Sequence, residues 1–98
     1  MGSMGPVKNN EAASRYELED DGQLCIAAYE LDGGEITFTH TRVPEALEGR
    51  GLASRLIKGA LADVRSRGLR VVPQCRFVAA YIARHPEEQD LLAASARG

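Results

Sequence analysis

The 98-residue sequence contains no apolar run of roughly 18 residues or more, which leaves no segment able to cross a membrane as a helix. Its N-terminus lacks the long apolar stretch of a secretory signal. It also lacks an excess of positive charge. Twelve Lys and Arg stand against 14 Asp and Glu, a formal net charge of -2, so nucleic acid is not an expected partner. Only two cysteines are present. Cys25 lies in an apolar run and Cys75 follows Pro73-Gln74, so no disulfide framework is implied and a reducing, cytoplasmic setting is expected. The two histidines, His40 and His85, lie far apart, and no metal site is expected. Internal repeats and low-complexity segments are missing too. What remains is a chain 44% hydrophobic and 27% charged, the composition of an ordinary globular protein. Its length suits one compact domain.

Periodicity divides that length. Residues 1–13 are polar without a clear period and are expected to form a flexible lead-in, with Met1-Gly2-Ser3 as an expression-vector scar before Met4. A single domain is expected over residues 14–93 and a tail over 94–98. Arg15 to Glu19 alternates like a half-buried strand, and Asp20-Asp21-Gly22 signals a turn. Gln23 to Leu31 reads as a second strand, and Asp32-Gly33-Gly34 as a turn short enough to pair its neighbours antiparallel. Glu35 to Val43 alternates, is rich in β-branched residues and ends at Pro44. From Gly51 the period changes. Leu52, Leu56 and Ala60 lie four apart, with Ala53, Ile57, Leu61 and Val64 in the adjoining rows, which predicts an amphipathic helix of about four to five turns closed by Gly68. Leu69 to Val72 is a short strand. A helix follows from Arg76, with Phe77, Ala80, Tyr81 and Arg84 on one face and Val78 and Ile82 beside it, and Pro86 ends it and can begin another. The expected fold is α/β in the α+β sense: a mixed sheet of three antiparallel strands, a helix, a parallel strand and C-terminal helices.

Gly49-Arg50-Gly51 stands between the best strand and the start of the helix. A helix N-terminus exposes backbone N–H groups and a partial positive charge. Glycines allow an anion to approach the backbone, and Arg50 adds a full charge. The same glycines could merely shape the turn. Two phosphate motifs are excluded: no Gly-x-x-x-x-Gly-Lys-Ser/Thr run exists, and the dinucleotide pattern fails at Ser54.

The segment from Val43 to Leu56 resembles the cofactor segment of the GNAT superfamily of acyl-CoA-dependent N-acetyltransferases. Gly51 and Ala53 match its Arg/Gln-x-x-Gly-x-Gly/Ala pattern, whereas Glu48 departs from the first position. Phe38-Thr39-His40-Thr41, Val43-Pro44-Glu45, Glu48-Gly49-Arg50-Gly51, and Cys75 with Tyr81 extend the likeness to the minimal N-acetyltransferase domain-containing protein 1-like group, over about Arg15 to Leu92. The resemblance implies a GNAT-like fold binding acetyl-CoA between two splayed parallel strands, Glu35–Val43 and Leu69–Val72. The pyrophosphate would meet amides of Gly49, Arg50, Gly51, Leu52, Ala53 and Ser54. The pantetheine arm would add to the strand at Thr41, Arg42 and Val43. The acceptor side would be open, admitting an amine that could belong to a protein or peptide. A monomer or weak homodimer is expected.

Acetyl transfer needs a neutral amine, a polarised carbonyl and a protonated leaving thiolate. Cys75 opens a helix, where a thiolate is favoured. It could relay the acetyl group, donate a proton, or only pack. His40 could serve as a base or position a ligand. Strict alternation would instead place it on the apolar face with Ile36 and Phe38, unless a bulge intervenes. Tyr81 matches a position close to the cofactor in the superfamily, but its spacing also suits the core. Arg42 stands where many members of the group carry Glu, and it cannot accept a proton at physiological pH. That departure keeps a second reading open, a non-catalytic acyl-CoA-binding module. Arg55 and Lys58 could reach a phosphate or stand in solvent.

Overall fold

A computed structural model describes residues 6–47 and 49–96. The segment expected to be a vector scar, Met1-Gly2-Ser3, and the Glu48 position lie outside the described residues. Five strands form one mixed sheet: β1 (Lys8–Asn10), β2 (Arg15–Asp20), β3 (Gln23–Asp32), β4 (Glu35–Arg42) and β5 (Arg70–Pro73). They lie side by side in chain order, the first four antiparallel and β5 parallel to β4. The β2–β3 turn has positive φ at both Asp21 and Gly22 (54° and 76°), the twist that lets two residues reverse a strand. Helix α1 (Leu52–Ser66) makes the crossover between β4 and β5, and helix α2 (Arg76–Arg84) follows β5.

The alternation of β2 and β3 has a direct counterpart in burial. Tyr16, Leu18, Cys25, Ala27, Tyr29, Ile36, Phe38 and Val71 face one core with Leu52, Leu56, Ile57, Ala60, Leu61 and Val64 of α1. The intervening Arg15, Glu17, Ile26, Ala28 and Thr37 are only half-buried, on the face without helices. Helix α1 ends as its sequence predicts. Gly68 takes φ 70°, and the N–H groups of Gly68 and Leu69 donate to the carbonyls of Arg65 and Val64 at 3.2 Å each.

Two expectations need correction. The lead-in is ordered from Lys8 to Ala13: β1 pairs with β2, and a 3-10 turn spans Glu11–Ala13. Its order comes from tertiary contacts. The Tyr29 hydroxyl donates to Asn9 Oδ1 at 2.6 Å, and Val7 packs on the core. In α2 the buried stripe is Val78, Tyr81 and Ile82, while Phe77 is exposed and lines the cleft described below. As its sequence allowed, Pro86 begins a further helix, a 3-10 helix over Pro86–Leu91. Arg65 holds it to α1 with a two-point ion pair to Asp90, at 2.7 and 2.9 Å. Leu92 then forms a parallel bridge to Val71, and the Ala93 N–H donates to the Val71 carbonyl, so β5 is covered at its outer edge.

Gly59 sits in α1 under Val7. A Cβ there would lie 2.5 Å from Val7 Cγ2 and 2.7 Å from Val7 Cβ. Gly59→Ala gains about 1 kcal/mol of helix propensity. It must also displace Val7, and overpacking costs about 1–3 kcal/mol. The expected net is a loss near ~1 kcal/mol, with faster amide exchange in Lys8–Asn10. In a Val7→Gly background the same alanine should stabilise.

Candidate functional site: a splayed strand pair beside an uncapped helix

On its β3 side, β4 stays paired as far as Arg42, opposite Ile26. On its β5 side the ladder runs only from Glu35↔Arg70 to Phe38↔Pro73. One further bond, from the Cys75 N–H to the Phe38 carbonyl at 2.8 Å, closes that pairing. Pro73 has no N–H with which to continue a ladder, and the chain turns away into α2. Beyond Phe38, β4 therefore presents an extended edge toward a gap.

The gap leads to the start of α1. Gly51 is the N-cap residue in the left-handed conformation, φ 71°, and Gly49 also has positive φ, 83°. The first intrahelical bond runs from the Arg55 N–H to the Gly51 carbonyl, which leaves the amides of Leu52, Ala53 and Ser54 without an intrahelical acceptor. Among the described residues no side chain caps them, and the first turn carries no acidic residue. These amides and both glycines border an open cleft of about 230 Å³, whose apolar wall is Val43, Leu47, Leu52 and Phe77. Leu47 and Phe77 were not singled out from sequence. Both are large apolar residues flanking the glycine loop and Cys75, which is the signal that could have found them.

Arg50 does not bring an unbalanced charge to the loop. Its Nη1 lies 3.5 Å from Oδ2 of Asp20, a carboxylate 5% exposed. At that distance the pair is a loose one, but the carboxylate offsets the guanidinium, so the free amides must supply most of the grip on an anion. A partner 30 residues away in sequence could not have been read from the loop.

Cys75 precedes α2 as its N-cap residue. Its Sγ lies 3.3 Å from Thr41 Oγ1, so thiol and hydroxyl meet across the gap. Thr41 thus has a side-chain role beside the main-chain role expected for it. His40 does not join them. Ala28 faces His40, but the next residue, Tyr29, faces Phe38, so Thr39 is an extra residue on β4. This bulge reverses the phase of the strand. Thr41, not His40, continues the core face after Phe38, and His40 is exposed on the helix-free face. Among the described residues its ring makes one side-chain hydrogen bond, a long one of 3.4 Å between Nδ1 and Thr39 Oγ1. Tyr81 belongs to the core, with its ring stacked on His85 at 3.9 Å between centroids. The His85 Nδ1 lies 2.7 Å from the Tyr81 carbonyl, which can only accept, so that nitrogen carries the proton. Burial, aided by the Glu88 and Glu87 carboxylates, pushes the Tyr81 phenol up.

The two thiols should behave differently. Cys25 is fully buried, and burial together with the Asp20 charge pushes its thiol up. Cys75 is 8% exposed at the gap. Native protein should therefore lose one thiol to iodoacetamide at Cys75 well before the second, and acetyl-CoA should slow that loss severalfold. Peptide mapping of the alkylated protein checks both points.

The family model described as GCN5-related N-acetyl-transferase matches residues 15–91. Protein NATD1 of Mus musculus is 36% identical over 92 residues, spanning 89% of this chain and 84% of the mouse protein. Protein NATD1 of Homo sapiens is 36% identical over 68 residues, 68% of this chain and 60% of the human protein. The solution NMR structure of a GCN5-like protein from Staphylococcus aureus superposes with a TM-score of 0.69 at 26% identity, covering 89% of this chain and 86% of that one. The matched region contains every strand from β2 to β5, both helices, the glycine loop and Cys75, so the chain belongs to the GCN5-related N-acetyltransferase family.

Proposed function

We propose that the protein transfers an acetyl group from acetyl-CoA to an amine. One observation carries this reading. The pairing of β4 with β5 stops at Phe38 while β4 continues to Arg42, and the gap so opened lies between a row of free helix amides and a thiol.

The residues present fit acetyl-CoA. The amides of Leu52, Ala53 and Ser54 would receive the pyrophosphate, close to the backbone because Gly49 and Gly51 carry no side chain. The edge of β4 at Thr41, Arg42 and Val43 would pair with the amide-bearing arm. Val43, Leu47 and Phe77 would cover it and exclude water. When bound, the cofactor supplies an activated thioester. Overall an N–C bond forms and a C–S bond breaks. Of the two protons lost from the ammonium, one ends on the released thiol and one in solvent. Thr41 holds the Cys75 thiol at the gap, where it can exchange a proton or attack a carbonyl. On the other face, His40 can take the proton that the amine must lose.

A second reading keeps binding without chemistry. It is favoured by the separation of Cys75 and His40 onto opposite faces of β4. Calorimetry with acetyl-CoA, followed by thiol release with a panel of amines, separates the two. Micromolar to millimolar binding with turnover is expected. Failure to bind at millimolar acetyl-CoA sinks both readings, and binding without turnover on any amine leaves only the module. A Cys75→Ala protein that turns over normally removes the thiol from the chemistry but keeps the enzyme.

A further inference from the structure

The bulge at Thr39 places two side chains together that strict alternation would have put on the core side. His40 faces Ala28 across the strand pair and Arg42 faces Ile26, and both are exposed on the helix-free side. Their cross-strand neighbours are short or apolar, so neither is covered. Five other arginines, Arg15, Arg50, Arg65, Arg67 and Arg70, each donate to an acceptor in the fold. Arg42, like Arg55, Arg76 and Arg84, has no such partner among the described residues, and of these four it is the one on β4 beside the gap. The carboxylate in its own cross-strand row, Glu17, lies two strands away, roughly 10 Å. Glu17 is engaged by Asn10 at 2.9 Å and Arg15 at 2.6 Å, which hold its carboxyl below the usual range.

The segment of β4 that carries this pair is the one that borders the gap. Its core-side residue, Thr41, already touches Cys75, and both helices occupy that side. An acceptor must therefore approach from the helix-free side, past His40 and Arg42. A lysine side chain or polyamine arriving there would meet a guanidinium, and like charges in that position oppose binding. An amine with a carboxylate a bond or two from its nitrogen meets both needs. The imidazole takes the proton of the amine, and the guanidinium fork takes the carboxylate in two hydrogen bonds. Side chains two apart on a strand start roughly 7 Å from each other, a spacing that the long arginine stem closes around one amino acid.

Building on the reading as an N-acetyltransferase, we propose that the acceptor is a free amino acid, its carboxylate bound by Arg42 on the helix-free face of β4. The test uses matched acceptors with saturating acetyl-CoA: glycine against glycinamide, and L-phenylalanine against phenethylamine. In the wild-type chain the carboxylate member of each pair should have a kcat/KM at least tenfold higher. Arg42→Gln should bring the ratio near one through KM, and Arg42→Glu should invert it. A wild-type ratio near or below one, or a ratio that survives Arg42→Gln, overturns the proposal. So does acetylation confined to peptide amines. If no amine is acetylated, the enzyme reading fails and the carboxylate site is judged alone. N-acetyl-L-phenylalanine titrated into 15N-labelled protein should then shift the amides of His40, Arg42 and Ala28, and not in Arg42→Gln. Absence of those shifts in the wild type overturns the site.

Discussion

Gly51→Val is expected to weaken acetyl-CoA binding by at least ~100-fold, about 2.7 kcal/mol, in a protein that still folds. Two effects combine at this position. The backbone of Gly51 has φ 71°, a conformation that a β-branched residue adopts only with strain of about 1–3 kcal/mol. Relieving it means re-aiming the amides that follow, the groups held free for the anion. The second effect is steric exclusion of the ligand. A Cβ at Gly51 meets no protein atom within 4 Å, so the added side chain stands in the space a phosphate would enter without disturbing the core. Asparagine tolerates this conformation better than valine. Gly51→Asn should therefore bind more tightly than Gly51→Val, and Gly51→Ala should fall between them. Glu48→Ala should leave binding nearly unchanged. Calorimetry on this set checks the order. If Glu48→Ala were the damaging change and Gly51→Val the mild one, the amides would not be the grip.

Phe38→Ala is expected to destabilise the protein by about 3–5 kcal/mol, the usual cost of emptying a buried aromatic site. Phe38 is fully buried and packs against both Tyr16 and Tyr29, with ring centroids at 6.1 and 6.4 Å. It is also the last β4 residue paired with β5, and its carbonyl receives the Cys75 N–H. Small domains have total stabilities of about 5–15 kcal/mol. At about 4–8 °C per kcal/mol, the midpoint of thermal unfolding should fall by roughly 12 °C or more. Phe38→Leu, which keeps most of the volume, should cost much less. Because the strand pair parts just beyond this ring, the two variants should differ in alkylation of Cys75 as well as in melting. Equal midpoints for the two would mean that apolar volume at this site contributes little to stability.

The elements nearest in sequence to their own causes were the legible ones. Alternation in Arg15–Glu19, paired glycines in tight turns and the four-residue spacing from Leu52 each state a local preference that the fold keeps. The glycine loop was legible for the same reason, since a helix start exposes amides whatever lies elsewhere. What escaped depends on distant partners. Lys8-Asn9-Asn10 has no strand-forming residue, and its order comes from Tyr29 and β2. The bulge could be allowed for but not decided, because Thr39-His40-Thr41-Arg42 is polar throughout and no apolar residue marks the phase after Phe38. One inserted residue therefore exchanged the faces of His40 and Thr41. In α2 the error was a single position, since Phe77 and Val78 both begin a credible stripe and only packing decides between them.

The two margins of the sheet have a consequence for how copies of this protein meet. An open strand edge is a template on which another chain can hydrogen-bond. Here one margin is a strand of three residues that carries Lys8, and the other is occupied at Val71 by Leu92 and Ala93. A second copy could extend the sheet by only a few bonds at either side. Edge-to-edge pairing between copies is therefore limited at these two margins by strand length and coverage. Self-association would have to proceed through faces, where side chains determine the partner.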